Sequence, residues 1–451
     1  MNLTIKTNRL TIPYVIGKGL IGKFVIVEVV NDAMQEQFFV QLSKTRRFFV
    51  PKEIRERMGL KPNQKICVNI SPGDNEPRPE EIFQNNRFDM LSCVPLVTLS
   101  GYEVLAINKG EEIVSWYSTP GRPNELRLRR YCSEEDIARF SGYYQAECGK
   151  AKLRHRQGRN LNFTNKKMFL IEDFIDLSSK FITSAHWSAC IRYNKERVSR
   201  ATLDNVQNKL SDMGIPKERV KIASVERVDT YVITVYMCSS ILAETVSLAC
   251  HAFKEYLLGN DNENLFRQFM RGYLAGDGNF FSGRDKEGSL HSRLNFYEEK
   301  EESISSLARI MARYGFRGKT RKSKLKNLYV HTISINWENL LRLHELGLFE
   351  DIPHHRDKIV WALSQHNRYR SLRHLVYLGT SFSKGDLRLH QDSKGSWIVK
   401  RLREGLIERD VNGNYNLTEK GTRIKSLLLS TTQQNSGPVP EAVHCFSQKT
   451  S

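Results

Sequence analysis

Two distant stretches of this chain share one pattern, and that pattern constrains the fold more than any other feature. Residues 138–150 read ARFSGYYQAECGK, and residues 269–280 read FMRGYLAGDGNF. Each is a helix-like run with small residues four apart, Gly142 and Ala146 in the first, Gly272 and Gly276 in the second. An acid follows each pair at once, Glu147 and Asp277. Residues four apart share one face of an α-helix, and a face without bulky side chains lets two backbones approach closely. The expected arrangement is two helices packed together with a carboxylate at the end of each. Two carboxylates brought together in this way form a candidate divalent-metal site.

The surroundings of the two stretches repeat as well. LNF occurs at 161–163 and again at 294–296, followed by the helix-like runs FLIEDFIDLSSKF and ESISSLARIMARYGF. Further on, DTYVITVY at 229–236 matches NLYVHTIS at 327–334. The order of motif helix, strand, helix, strand therefore occurs twice, which marks one fold duplicated and fused over residues 133–350.

With two such motifs inside an internal repeat, the chain resembles the LAGLIDADG (DOD-type) homing endonucleases, here with two motif copies in one chain. The resemblance implies an α+β fold, a duplicated αββαββα-type domain forming a pseudo-twofold saddle. It further implies double-stranded DNA as the partner, Mg²⁺ or Mn²⁺ as the cofactor, and metal-dependent phosphodiester hydrolysis. Glu147 and Asp277 would be both the catalytic residues and the metal ligands, one acid for each strand. The first copy departs from the pattern at Cys148, where the second has Gly278. A side chain at a crowded helix end is expected to loosen the packing there. The first copy is also longer between LNF and YV, where WSACIRYNKERVSRATLDNVQNKLSDMGI is expected to add strand and helix at the edge of the DNA-binding surface.

Charge agrees with a polyphosphate partner. Lys and Arg outnumber Asp and Glu 69 to 50, giving a net charge of +19 and a pI near 9.5. Such a surface binds nucleic acid by counterion release. Two basic runs lie in the duplicated region, KAKLRHRQGR at 150–159 and RGKTRKSKLK at 317–326. Their Lys150, Lys152, Arg154, Arg156 and Arg159, and Arg317, Lys319, Arg321, Lys322 and Lys324, are the expected DNA contacts, with an ordinary solvated charge run as the competing reading. Lys150, Lys319 or Lys322 could also steady charge building on phosphorus.

Two flanking modules are expected. Residues 41–70 resemble a swapped-hairpin DNA-binding domain of the AbrB type, a strand, Pro51 opening a short helix, Gly59 ending it, then a strand. Residues 4–30 repeat that outline in shortened form, so 1–70 read as a tandem module able to complete one sheet within one chain, with Arg46 and Arg47 facing DNA. Residues 71–132 read as a linker followed by a separate small β-meander. Repeat 1 spans 133–262, opened by Ser133 as N-cap, and repeat 2 spans 263–352. Residues 366–428 resemble a winged helix, three helix-like runs and a hairpin, whose third helix would offer Lys394, Ser396, Lys400 and Arg403 to DNA while Ile398 and Leu402 pack inward. The tail 431–451 reads as disordered.

The eight cysteines form no CxxC pair, which argues against a zinc site and for free thiols in a reducing cytoplasm, close to the nucleoid. No run of 18 apolar residues exists, and the opening residues do not read as a signal peptide. The termini lack the residues an intein would use, so a free-standing protein is expected. Three functions fit: a site-specific endonuclease, a non-catalytic DNA-binding regulator on the same scaffold, and an RNA maturase. Because both duplications supply their own twofold partners, a monomer is expected.

Overall fold

The computed structural model describes residues 1–6, 9–13, 24–31, 34–41, 46–50, 52–72, 83–84, 86–95, 98, 104–109, 111–117, 125–148, 160–184, 186–276, 279–284, 288–323, 328–366, 371–387, 389 and 391–434. The chain divides into two compact units, one made of residues 1–279, 296–314 and 320–330, the other of 280–295, 315–319 and 331–451.

The N-terminal strands are β1 (Asn2–Thr4), β2 (Arg9–Thr11), β3 (Phe24–Asn31), β4 (Met34–Gln41) and β5 (Arg47–Phe49), followed by helix α1 (Lys52–Arg57) and β6 (Lys65–Pro72). Alternation in FVIVEVV makes β3 a half-buried strand, with Val25, Val27 and Val29 in the core. β1 pairs with β6, β2 with β5, and β3 with both β4 and β6, at Leu3↔Ile66, Leu10↔Phe48, Val27↔Phe38 and Val29↔Val68. Strands of the first outline thus pair with strands of the second. The order β1–β6–β3–β4 is unchanged when the two outlines are exchanged. Gly59 ends α1 with φ +60, a conformation that glycine adopts without steric penalty.

The meander is not a separate sheet. After β7 (Phe83–Gln84) and β8 (Arg87–Asp89) come β9 (Val104–Lys109), β10 (Glu112–Tyr117), β11 (Leu126–Arg129) and β12 (Tyr131–Ser133). β9 joins β4 at Phe39↔Ala106, so β9, β10 and β11 extend the N-terminal sheet to seven strands. A free strand edge presents unpaired backbone groups, and β9 covers that of β4. At the other end, Arg129 N–H donates to Phe181 O (2.9 Å) and Thr183 N–H to Arg127 O (3.0 Å), which ties β11 to the first repeat.

That repeat starts with α2 (Glu134–Glu147), capped by Ser133 Oγ accepting from Asp136 N–H at 3.0 Å, as the sequence predicts. Then follow β13 (Leu161–Asn165), α3 (Met168–Ser179), β14 (Ser188–Tyr193), α4 (Arg200–Asp212), β15 (Val220–Ser224), β16 (Tyr231–Met237) and α5 (Ser240–Gly259). The next repeat holds α6 (Glu263–Gly276), β17 (Asn279–Arg284), β18 (Leu290–Glu298), α7 (Glu301–Arg313), β19 (Lys319–Lys322), β20 (Tyr329–Ser334) and α8 (Trp337–Glu345). The sheet orders are β13–β16–β14–β15 and β17–β18–β20–β19, so the LNF strand lies beside the YV strand in both. The extra length of the first repeat is α4 and β15. α4 buries Leu203, Val206 and Leu210 along one face and crosses over to set β15 parallel to β14 at the sheet edge.

The remaining elements are α9 (Pro353–Gln365), β21 (Ser381–Phe382), α10 (Gln391–Arg403), β22 (Ile407–Arg409), β23 (Tyr415–Leu417) and α11 (Glu419–Gln434). Among the described residues, the third expected helical run is a full α-helix, while the first shows α-helix at Ser371 and Leu372 and then 3₁₀ geometry. Residues 373–377 and 384–386 form short 3₁₀ segments, the second with Gly385 at its centre. Leu402 is 36% exposed and does not pack inward, whereas Ile398 is buried. Residues 431–434, expected as disordered tail, complete α11, which buries Ile424 and Leu428; residues 435–451 lie outside the described residues.

Candidate functional site

α2 and α6 cross where neither carries a side chain. A methyl group on Gly142 would lie 2.0 Å from Phe269 O and 2.6 Å from Tyr273 N, and one on Gly272 would lie 2.1 Å from Arg139 O. No carbon tolerates such distances, so glycine at both positions is what lets the backbones meet. Phe140 and Tyr143 of α2, and Phe266, Phe269 and Tyr273 of α6, are fully buried around the crossing.

The two helices stay together to their ends. A methyl on Gly276 would lie 2.6 Å from Ala146 Cβ and 2.8 Å from Glu147 Cγ, so the half-buried Glu147 stands against the last residue of α6. The next residue is Asp277, which with Gly278 lies outside the described residues. Cys148 does not disturb this end. Its φ of −94 and ψ of 151 are extended values open to any residue, its N–H donates to Tyr144 O at 3.1 Å, and its side chain is buried. Among the described residues, nothing at Cys148 shows the expected loosening of the packing.

Sequence reasoning missed a second layer. Tyr143 and Tyr273 each follow a crossing glycine and each donate a hydroxyl to a carboxylate of their own repeat, Tyr143 to Asp173 and Tyr273 to Glu298 at 3.2 Å. Arg139 also donates to Asp173 (2.8 Å), and Gln145 of α2 reaches across to Glu298 (2.8 Å). Burial, then the Asp173 charge, pushes the Tyr143 hydroxyl far up, so it serves as a fixed donor. The signal in the sequence was the Gly-Tyr pair common to both motifs.

The expected basic contacts fall into three groups. Lys150, Lys152, Arg154, Arg156, Arg159 and Lys324 lie outside the described residues. Arg317, Lys319, Arg321 and Lys322 are exposed on and just before β19, and Lys322 Nζ lies 5.7 Å from the Tyr329 ring centre. In the flanking regions Arg47, Lys400 and Arg403 are exposed; Arg46 is half-buried with φ 58, its carbonyl accepting from Ile12 N–H, and Lys394 donates to Gly385 O at 3.3 Å.

The strands of the two repeats carry a charge bias that was not read from the sequence. β13 to β20 include Arg192, Lys221, Arg284, Arg293, Lys319, Arg321 and Lys322, but only one carboxylate, Glu298, and that one is buried. On the first sheet, Thr164 and Thr234 hydroxyls lie 3.0 Å apart and Arg192 donates to Thr234 at 3.1 Å, giving a face of hydroxyls and cations.

Residues 265–346 match the LAGLIDADG-like domain family. No curated protein matches the chain. Among solved structures it is similar to mesophilic variants of the homing endonuclease I-DmoI, at 17% identity over 48% of this chain and 90% of that one, with a TM-score of 0.28. It is also similar to I-DmoI in complex with DNA and Mn (15%, 48% and 97%, 0.27) and to full-length DUF199/WhiA from Thermatoga maritima (13%, 67% and 89%, 0.26).

Proposed function

We propose that this chain is a site-specific, metal-dependent DNA endonuclease of the LAGLIDADG homing type. The observation that carries the reading is the glycine-mediated crossing of α2 and α6, which ends with Glu147 against the residue that precedes Asp277. The strands with a single, buried carboxylate support DNA as the ligand, since acids facing phosphates would repel them. The intertwined N-terminal strands and the C-terminal helix–hairpin unit serve, on this reading, as swapped-hairpin and winged-helix DNA contacts.

The donor set fits a hard cation. Two carboxylate oxygens suit Mg²⁺ or Mn²⁺, which take few protein ligands and complete their shell with water and phosphate. A bound metal supplies an activated water and charge neutralisation at the leaving oxygen. Glu147 and Asp277 would hold the ion. Gly142, Gly272 and Gly276 fix the distance between their helices. Tyr143 and Tyr273 lock each motif helix to its own repeat through Asp173 and Glu298. A buried Cys250 thiol, pushed up to about 12 by burial, offers no competing nucleophile.

Incubating the full chain with Mg²⁺ or Mn²⁺ and a library of DNA sites tests this. Cleavage of both strands at one sequence is expected. Glu147→Gln and Asp277→Asn should each abolish double-strand cleavage and leave affinity equal or slightly higher, since each removes negative charge near phosphate. Tight binding to one sequence without any cleavage would replace the nuclease by a non-catalytic DNA-binding regulator.

A further inference from the structure

α10 breaks the usual rule for the outside of a helix. Val399 is 47% exposed and Leu402 36% exposed, on the side where Ser396, Lys400 and Arg403 also face solvent. A β-branched residue in an exposed helix interior costs about 0.5 kcal/mol relative to alanine and returns nothing unless it is covered. Trp397, Ile398 and Arg401 already supply the inward face, so Val399 is not needed for packing. Gly395, one turn earlier, meets no neighbouring atom and is likewise not required by the fold. Local choices that weaken a helix without an internal gain point to an external partner.

The charges around the apolar pair select that partner. Lys400 and Arg403 are exposed beside it, while Glu404, the residue just past the end of α10, pairs with the buried Arg401 at 2.8 Å. A nearby acid is also withdrawn, because Asp410 accepts from the N–H groups of Asn412 and Asn414. A cationic rim around exposed methyl groups fits the major groove, where phosphates flank base edges and thymine alone among the bases presents a methyl group. An acidic protein would satisfy the cations but not that arrangement of methyl contact at the centre and charge at the rim.

We infer that Val399 is a specificity residue, seated against a thymine methyl group in the major groove while Lys400 and Arg403 hold the adjoining phosphates. This rests on the DNA-binding reading of the C-terminal unit. It goes beyond it by naming the base and the residue that reads it.

The test uses the full chain and its selected DNA site, with each thymine replaced in turn by deoxyuridine, which lacks only the methyl group. Wild-type protein should lose about fourfold in affinity at one position, the value of one buried methyl. Val399→Ala should bind the thymine site about fourfold more weakly and no longer respond to deoxyuridine at that position. The variant will fold, because alanine suits an exposed helix site better than valine. If every deoxyuridine site affects wild type and Val399→Ala alike while Lys400→Ala and Arg403→Ala still weaken binding, the inference fails and the DNA reading of the unit stands. If Lys400→Ala and Arg403→Ala also change neither affinity nor its salt dependence, α10 does not touch DNA and both fail.

Discussion

At the scale of single residues, the helix crossing is specified by what is missing. Gly142 and Gly272 each face backbone atoms of the other helix, so even the smallest addition must push α2 and α6 apart. Gly142→Ala should therefore lower stability by about 3 kcal/mol, the upper end for overpacking a core. Gly59→Ala, where φ is +60 but space is open, should lose only about 1 kcal/mol. Urea titration of both variants checks this, and equal losses would mean that the crossing is not tight. The glycines were legible in the sequence because their function is a spacing, and spacing is what a sequence records directly. The tyrosine–carboxylate pairs were not legible. Tyr143 and Asp173 lie 30 residues apart, Tyr273 and Glu298 lie 25 apart, and Gln145 and Glu298 lie 153 apart, so the shared Gly-Tyr pair marks the tyrosines but nothing local announces their partners.

Among elements, those with a strong period were legible and those set by backbone contact were not. The LNF and YV strands, α3 and α7 follow from their alternation or helical spacing, and the structure places them as expected. α11 was hidden because Gly421, in its first turn, weakens the helical pattern. In the structure that glycine is a packing device, since a methyl there would sit 1.9 Å from Leu406 O. The added α4 and β15 show the opposite case, an insertion whose ends meet. Tyr193 and Tyr231 are opposite each other on β14 and β16, and Asn194 N–H donates to Thr230 O at 2.8 Å. Replacing residues 195–229 with a short glycine-containing turn should therefore leave the helix pair folded. On the proposed function, the footprint on DNA should shorten on one side only, because Lys221 and its strand are gone. Circular dichroism with footprinting measures both, and a variant that unfolds would show that the insertion is part of the core of its repeat.

For the whole molecule, the seven-stranded sheet removes the freedom that flanking modules usually have. Because β4 is hydrogen-bonded to β9, and β11 to the segment after α3, the N-terminal strands are mounted on the first repeat. Deleting residues 1–72 would strip the partner from β9 and leave an open sheet edge. Such a truncation should self-associate in light scattering, while the intact chain should run at the 52.2 kDa of a single copy in moderate salt. A clean monomer after truncation would show that β9 needs no cover, and a dimeric full chain would mean that the internal pairing had been misread. No helix among the described residues is long and apolar enough to cross a membrane.

The interlocked N-terminal strands also bear on how the chain is made. The amino group of Met1 donates to Val68 O, 67 residues downstream, and β1 has no partner until β6 has been synthesised. β1 must therefore wait, unpaired, through most of the module's synthesis. The sheet then remains open at β4 until β9 arrives. Only after that do the motif helices emerge, so the early chain passes through an interval in which the β3–β4 hairpin can form locally but β1 and β2 cannot yet pair. Synthesis is thus most exposed at residues 1–70, and a chaperone that shields extended apolar segments would act there before the two repeats that follow have emerged.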